Sequence, residues 1–282
     1  MIFPDIPLSK LISFVEEDSQ FGDITSNAVI EPQSCTAVVS ARQHVVLAGI
    51  AECVRLSEWY GLSIKKSGAD GTPYITGDVI LEIYGSAHTI LLLERTLLNI
   101  LGRMSGIATQ TRTLQDVVRS INPKCKITAT RKTAPGLRLM DKKAAMIGGA
   151  DPHRFSLSDA ILIKDNHRVL VRVDEAVRRA RAAGAYHRIE AEADTIDDAL
   201  MIAEAGADII LLDNMAPAEV EQTLVLLKEK GVRDKVVIEV SGGITGENLA
   251  SYAPLAIDRI SMGSLTHSIT NADFSLDIMK QA

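Results

Sequence analysis

The sequence has few of the features that mark secreted or membrane-spanning proteins. It has only three cysteines, Cys35, Cys53 and Cys125. They are too few and too scattered for a disulfide framework or a cysteine-based metal site, so we expect buried thiols and a reducing compartment. No apolar run approaches the roughly 20 residues needed to cross a bilayer. Met1 leads directly into IFPDIPLSK, without a basic region before an apolar one. These features predict a soluble, cytoplasmic protein that does not enter a membrane.

The chain also lacks an excess of positive charge. It has 30 Lys and Arg against 36 Asp and Glu, for a formal net charge of -6. A nucleic-acid-binding protein is expected to carry a net positive domain or stripe, so the overall acidity argues against this function class. The 282 residues are 46% hydrophobic and 23% charged, which indicates a folded chain able to bury one large core or two smaller ones.

Positive charge is nevertheless concentrated in one segment. Residues 126–172 hold ten Lys or Arg against four Asp, a local balance of +6. Its start, TATRKTAPGLRLMDKK at 128–143, places Arg131 beside Lys132. Such a run is often only a solvated surface. The position of these cations in the fold must therefore decide whether they form an anion site.

From about residue 125 the sequence alternates short apolar runs with helical patterns. KITAT, DAILI, RIEAEA, DIILLD, KVVIEVS and RISMGS have the composition of buried parallel strands. Thr195 with Asp198 resembles a helix N-terminal cap, and Pro217 marks the start of the next helix. Repeated strand-helix units predict a parallel sheet, either closed as a barrel or doubly wound.

Polar residues stand at or just past the end of each predicted strand. They are Lys132, Lys164, Glu192, Asp213, Ser241 and Gly263. Their spacing matches the length of a strand-helix repeat. In a parallel barrel the carboxyl ends of the strands converge on one opening, whereas an open sheet would spread them along an edge. Because convergence would bring these residues together, we favour the barrel.

The first hundred residues have a different pattern, with strands such as TAVVSA and DVILEIYG and turns such as GADGTP. Helices are predicted around residues 8–14 and 51–59. A long helical pattern from about residue 90 to residue 121 should link this smaller α/β domain to the second half.

Cations recur at the predicted opening in TRK at 130–132, HR at 153–154 and IKDNH at 163–167. Arginine binds carboxylates and phosphates in two-point fashion and lysine adds a point charge, so the group predicts a polyanion site. Glu190 and Glu192 share one face of their strand, and Asp213 ends another strand. Carboxylates there would suit a divalent metal or sugar hydroxyls. Alternatively, Glu190 and Glu239 pair with lysines inside the barrel.

Two glycine-rich segments, VSGGI at 240–244 and SMGSLTHS at 261–268, follow the last predicted strands. Such turns expose backbone N–H groups, and a helix N-terminus directly after them would favour phosphate. Phosphate-binding barrels carry a site of this kind after their late strands.

These motifs also carry a family resemblance. EEDSQFGDITS, LLERTLLNILGRMSGIATQT, TRKTAPGLRLMDKKAAMIGGADPHR, LIKDNH, IEAEAD, LLDNM, EVSGGI and ISMGSLTHS closely resemble quinolinate phosphoribosyltransferases, in order along nearly the whole chain. The resemblance implies phosphoribosyl transfer from phosphoribosyl pyrophosphate to quinolinate with decarboxylation, with Mg²⁺, in a homodimer or dimer-based oligomer. It implies an N-terminal α/β sandwich over residues 1–104, joined by 269–282, and an incomplete seven-stranded α/β barrel over residues 105–268.

The resemblance also implies roles for individual residues. Quinolinate carboxylates would be surrounded by Arg131, Lys132, His153, Arg154 and Lys164. Arg95 in the ERT motif would reach the site of the partner subunit. Glu192 and Asp213 would bind ribose hydroxyls or Mg²⁺, directly or indirectly, and phosphate would be bound by Ser241, Gly242, Gly243 and Gly263. Lys132, Lys164, Glu192 and Asp213 would be catalytic.

Some residues depart from the family pattern. GGADPHR stands where many members have three glycines and an Asn, and Lys143 replaces a usual aromatic residue. A relative encoded with molybdate-transport genes also has PHR, but it usually lacks IKDNH and PGLR, both present here. Such a relative acting on another aromatic acid is one alternative. A non-catalytic anion-binding barrel is another, although the retention of Lys164, Glu192 and Asp213 argues against it.

Overall fold

The computed structural model describes residues 5–279, which form two compact units. The first holds the chain up to Arg112, Ala134–Gly148 and the chain from Ser268 onward. The second holds Thr113–Thr133 and Gly149–His267. The expected division into a domain of residues 1–104 with 269–282 and a domain of residues 105–268 stays a prediction. Residues 280–282 of the expected C-terminal segment lie outside the described residues.

The strands follow in chain order. They are β1 (Ser34–Ala41), β2 (Val45–Val46), β3 (Ser63–Ser67), β4 (Pro73–Tyr74), β5 (Val79–Ser86), β6 (Lys126–Thr128), β7 (Ile161–Ile163), β8 (Ile189–Ala193), β9 (Ile209–Asp213), β10 (Val237–Ser241), β11 (Arg259–Ser261) and β12 (Phe274–Ile278). All of the strands predicted above are among them.

The α-helices are α1 (Leu8–Asp18), α2 (Ile24–Val29), α3 (Ile50–Trp59), α4 (Ala87–Ile121), α5 (Arg138–Gly148), α6 (Asp165–Arg168), α7 (Val173–Ala183), α8 (Ile196–Glu204), α9 (Pro217–Glu229), α10 (Leu249–Tyr252) and α11 (Ser264–His267). The long helix is confirmed and begins at Ala87. Within the described part of the chain, no helix combines the length and the apolar character needed to span a membrane.

The first unit is built on an antiparallel sheet in the order β12, β1, β5, β3. Strand β1 alternates as a half-buried strand should, with Ala37, Val39 and Ala41 buried. Cys35 and Cys53 are buried free thiols in this unit, and Cys125 is one in the second, as expected. Burial raises the pKa of the Cys125 thiol to about 12, so it is expected to be unreactive at neutral pH.

Helix α5 is held to α4 by charged side chains. The Arg103 guanidinium makes a two-point contact with Asp141, with N–O distances of 2.7 and 2.9 Å. At the other end of α5, Arg112 donates to the carbonyl oxygens of Ile147 and Gly148. A Cβ at Gly148 would lie 2.6 Å from the Ala108 oxygen, so only glycine allows this close packing. These contacts place α5 in the first unit, although it lies inside the segment that the sequence assigns to the barrel.

The second unit is built on a parallel sheet in the order β6, β11, β10, β9, β8, β7. Each strand contributes one buried isoleucine to a single core, namely Ile127, Ile163, Ile189, Ile210, Ile238 and Ile260. Thr128 also forms an isolated parallel bridge with Asp151 beyond β6. The predicted α/β fold with a parallel sheet is confirmed. The sheet has six strands and this bridge, so a seven-stranded barrel is not established.

Candidate active site at the mouth of the parallel sheet

Polar side chains converge at the carboxyl ends of the parallel strands, around a cavity of about 400 Å³. We call this cavity the mouth. Eight of the residues expected at the site line it, namely Arg131, Lys132, His153, Arg154, Lys164, Glu192, Asp213 and Ser241. They lie far apart in the sequence, and the parallel strand order brings them together.

A smaller cavity of about 170 Å³ shares Lys132 and Ser241 with the mouth. We call it the glycine cavity, because Gly242, Gly243 and Gly263 line it. The residues expected to bind phosphate are therefore next to the residues expected to bind the acid.

Two arginines in the mouth are close enough for the positive charge of Arg131 to affect the Arg154 guanidinium. Arg154 is only 9% exposed. Burial first, and then the positive charge of Arg131, lower the pKa of the Arg154 guanidinium. The Nε of Arg131 is itself buried and has no hydrogen-bond partner among the described residues. Grouped cations of this kind are stabilised by an anion, so the mouth is suited to a carboxylate ligand.

His153 makes hydrogen bonds that hold the backbone from Asp151 to Arg154 in place. Its φ of 52° is in the left-handed region, and its N–H donates to Asp151 Oδ1 at 3.0 Å. Its Nδ1 accepts from the Arg154 N–H at 2.7 Å. A neutral ring therefore carries its proton on Nε2, which lies 3.0 Å from Glu190 Oε2. The alternative that Glu190 pairs with a lysine is wrong, because its partner is His153.

Glu239 lies beside the same histidine, 3.7 Å from His153 Nε2, and is 3% exposed. The Ser261 hydroxyl donates to its Oε1. Burial first, and then the negative charge of Glu190, raise the pKa of Glu239 to about 7. Glu239 and Ser261 are not among the site residues predicted from the sequence. The signal was available, because Glu239 precedes Ser241 by two residues and so shares its face of β10.

The second pair of carboxylates lies at the ends of β8 and β9. Both oxygens of Glu192 have protein donors, namely Lys164 Nζ at 2.9 Å and the Asp165 N–H at 3.0 Å. Burial first, and then the charge of Glu192, raise the pKa of Asp213, although its hydrogen bond with Ser241 opposes this. The negative charge of the pair is thus not fully compensated. A cation or the hydroxyl groups of a sugar would stabilise it.

The glycine cavity depends on close approach of backbone segments. Gly242 has a φ of +93°, and a Cβ there would lie 2.2 Å from Asn214 Oδ1. A helix was expected directly after this turn, but α10 begins only at Leu249. The reason is that the Asn248 side chain donates to the Gly243 oxygen and accepts from the Thr245 N–H, which holds the chain in a turn.

The second glycine segment is tied to the first cation motif. A Cβ at Gly263 would lie 3.0 Å from both the His267 ring and Lys132 Cδ. The Thr266 hydroxyl donates to the Lys132 carbonyl oxygen at 2.8 Å. The position of Lys132 is therefore fixed by the segment after β11.

Other residues of the cation-rich segment lie elsewhere. Lys142 and Lys143 are buried in α5 of the first unit. Arg95, which lies outside that segment, does not line the mouth; it is an exposed residue of α4 in the first unit, where it lines a cavity of about 300 Å³ together with Arg103. The cation-rich segment of residues 126–172 therefore does not form one surface, and only part of it lines the mouth.

Two family models match the chain. The quinolinate phosphoribosyl transferase N-terminal domain matches residues 23–105, and the C-terminal domain matches residues 107–277. A probable nicotinate-nucleotide pyrophosphorylase [carboxylating] of Methanothermobacter thermautotrophicus is 42% identical, over 94% of this chain and 96% of the relative. The human nicotinate-nucleotide pyrophosphorylase [carboxylating] is 40% identical, over 99% of this chain and 94% of the relative.

Solved structures agree with these sequence relatives. The crystal structure of NadC from Streptococcus pyogenes superposes with a TM-score of 0.90 and 35% identity, over 98% of this chain and all of that one. The nicotinate-nucleotide pyrophosphorylase from Francisella tularensis has the same TM-score at 30% identity, over 98% of both chains.

Proposed function

The chain belongs to the quinolinate phosphoribosyltransferase family, and on that premise we propose how its mouth transfers a phosphoribosyl group to quinolinate in NAD biosynthesis. One observation carries the proposal. Arg131 and Arg154 bring two guanidinium groups of like charge into one cavity. Quinolinate has two carboxylates and phosphoribosyl pyrophosphate is a polyanion, so both supply the charge that this arrangement needs.

We assign the acid to the side of the mouth formed by the cations. Arg131, Lys132 and Arg154 would contact the quinolinate carboxylates directly, because arginine forks match carboxylate geometry. His153 would complete this side by holding the Arg154 backbone in place. Lys164, which already neutralises Glu192, would lie between the acid and the sugar.

We assign the donor to the opposite side. Asp213 and Glu192 would bind the ribose hydroxyls, and Ser241, Gly242, Gly243 and Gly263 would surround a phosphate group. The two carboxylates are also the oxygen donors that Mg²⁺ prefers. The raised pKa of Asp213 fits such an ion, held directly or through water. Bound there, Mg²⁺ would offset the charge of the departing pyrophosphate.

The chemistry needs no covalent nucleophile on the protein. The quinolinate nitrogen forms a bond to the anomeric carbon as the bond to pyrophosphate breaks, and positive charge develops on the sugar. Glu192 and Asp213 stabilise that charge, and Lys164 stabilises the leaving group. The bond to the ring 2-carboxylate then breaks, CO₂ leaves, and a proton takes its place. Arg131 and Arg154 stabilise the electron density left next to the ring nitrogen. Binding both substrates in one cavity supplies orientation.

Three finer expectations complete the proposal. The protein would act as a homodimer or dimer-based oligomer in which Arg95 reaches the partner's site. The segment around Asp151 would serve as a seventh strand of an incomplete barrel, supported by its bridge to Thr128. The enzyme would act in the cytoplasm, as its three free cysteines suggest.

A turnover assay tests the proposed function. Purified protein is mixed with quinolinate, phosphoribosyl pyrophosphate and Mg²⁺, and nicotinate mononucleotide, CO₂ and pyrophosphate are measured. Equal amounts of the three products are expected. Tight quinolinate binding without product would instead support an anion-binding barrel, and turnover of a different aromatic acid would support a change of specificity.

A further inference from the structure

We propose that Arg168 is a positioning residue that fixes Lys164 and Glu192 in the mouth. This inference rests on the proposed function for its catalytic consequence, but not for its geometry. Arg168 does not line the mouth itself. It is the last residue of α6, the single helical turn that follows Lys164.

The α6 turn has little apolar packing to hold it. Helix α6 has four residues, and none of them is buried. The two residues that follow, Val169 and Leu170, are 84% and 86% exposed. A helix this short is not stable alone, and burial of apolar surface does not compensate here. Its position must therefore depend on polar contacts.

One set of contacts joins the start of the turn to the end of β8. The Glu192 carboxylate accepts from Lys164 Nζ at 2.9 Å and from the Asp165 N–H at 3.0 Å. These contacts are within the mouth, because all three residues line it.

A second set joins the end of the turn to the same place. Arg168 Nη1 donates to the Glu192 carbonyl oxygen at 3.2 Å and to Asp194 Oδ2 at 2.8 Å. Its Nη2 donates to Asp198 Oδ2 at 2.5 Å. The side chains of Arg168 and Asp198 are both 16% exposed. Arg168 thus binds the backbone of the residue whose carboxylate holds Lys164.

Together, the two sets fasten α6 to β8 at both ends of the turn. Without the Arg168 contacts, the Glu192 carboxylate would be the one group among the described residues whose hydrogen bonds still join the turn to β8. That carboxylate and Lys164 would then sample other orientations, and fewer molecules would hold them in the productive arrangement. The expected loss is in kcat more than in the KM for quinolinate, because the arginines that bind the acid are not disturbed.

The test compares four proteins with the unmodified enzyme. Arg168→Leu removes all three contacts, Arg168→Lys keeps the charge but not the fork, and Asp198→Asn weakens the contact from its other side. Arg179→Leu is the matched control, because Arg179 is an exposed residue of α7 that pairs only with Glu175 in the described structure.

We expect Arg168→Leu to lower kcat about 10-fold, with the KM for quinolinate changed less than twofold. Arg168→Lys and Asp198→Asn should give smaller losses and the control none. In a Glu192→Gln background, Arg168→Leu should add little, because coupled residues are not additive. Full additivity, or an unchanged kcat, would overturn the proposal.

Amide hydrogen exchange of the protein without substrates supplies a readout that does not depend on turnover. Exchange at residues 165–170 should be faster in Arg168→Leu, while the core strands should be unchanged. Uniformly faster exchange would indicate general destabilisation and contradict a positioning role. If the unmodified enzyme makes no product but the local exchange still changes, the proposed function fails while the positioning of α6 by Arg168 holds.

Discussion

Helix α5 and the mouth both bury charged side chains, but they do so in different ways. In α5, opposite charges are matched: Asp141 with Arg103, and Lys143 with Glu52 at 2.6 Å. The mouth has a matched pair as well, Lys164 with Glu192, but it also groups like charges, as with Arg131 and Arg154. A matched ion pair is stabilised by its partner within the chain. Grouped like charges are stabilised when a ligand of opposite charge binds. This difference distinguishes charged side chains that stabilise the fold from those that bind a ligand, within a single cation-rich segment.

The largest expected effect is on stability, in α5. Lys143→Met leaves the Glu52 carboxylate buried without its cation, which should lower the free energy of unfolding by about 3–5 kcal/mol. Urea denaturation measures this, with Lys66→Met, at an exposed residue of β3, as the control. Adding Glu52→Gln should restore part of the loss. If Lys143→Met proves no worse than the control, α5 is not a matched-charge region.

The next effect is on activity, in the mouth. Arg131→Gln removes a charged two-point contact to the acid, so kcat/KM for quinolinate should fall about 100-fold. The melting temperature should stay the same or rise, because the charge beside Arg154 is gone. Initial rates at saturating donor and a thermal melt measure the two effects. A loss of stability with unchanged kcat/KM would show that Arg131 stabilises the fold and does not bind quinolinate.

A third effect depends on pH. The pKa of Glu239 is raised from 4.5 to about 7, so the folded state keeps this proton after the unfolded state has lost it. Its contribution to stability is therefore fully present below pH 4.5 and is lost as the pH rises toward 7. Glu239→Gln should remove that loss and be more stable than the unmodified protein at pH 8, by about 3 kcal/mol.

At pH 5 the Glu239→Gln variant and the unmodified protein should be nearly equal. Urea denaturation at both pH values measures the difference, and Glu229→Gln, at an exposed position on α9, is the control. An equal difference at pH 5 and pH 8 would show that the effect is not due to the Glu239 proton.

The smallest expected signal concerns Arg95, which is exposed in α4. If Arg95 acts in the partner's site, mixing inactive Arg95→Ala and Lys164→Ala proteins should restore about a quarter of the activity. Random pairing makes half of the dimers mixed, and each mixed dimer has one intact site of two. Subunit exchange is verified with differently tagged chains. Mixed dimers that stay inactive would place Arg95 in its own subunit.

Much of the fold could be predicted because its signals are local. Six short apolar runs became β6 to β11, and the Thr195 side chain caps α8 by accepting from the Asp198 N–H. The same-face spacing of Glu190 and Glu192 was also correct, since both line the mouth. These features follow from the periods of strands and helices, which neighbouring residues determine.

Other features could not be predicted because they depend on contacts between distant segments. Lys132 and Lys143 are close in sequence, yet the first lines the mouth and the second pairs with Glu52. The pairing of Glu190 with His153 joins residues 37 apart. The contacts of Arg168 with Glu192, Asp194 and Asp198 likewise join residues that are 24 to 30 apart.

The sequence by itself determined the alternation of strands and helices, the chemical types at the strand ends and the family to which the chain belongs. Only the tertiary structure decided which cations share a cavity, which carboxylate has a raised pKa and which arginine fixes another residue in place. The physical reason is that periodicity is a property of neighbouring residues. Burial and electrostatic interaction, in contrast, depend on distances that exist only after the chain has folded.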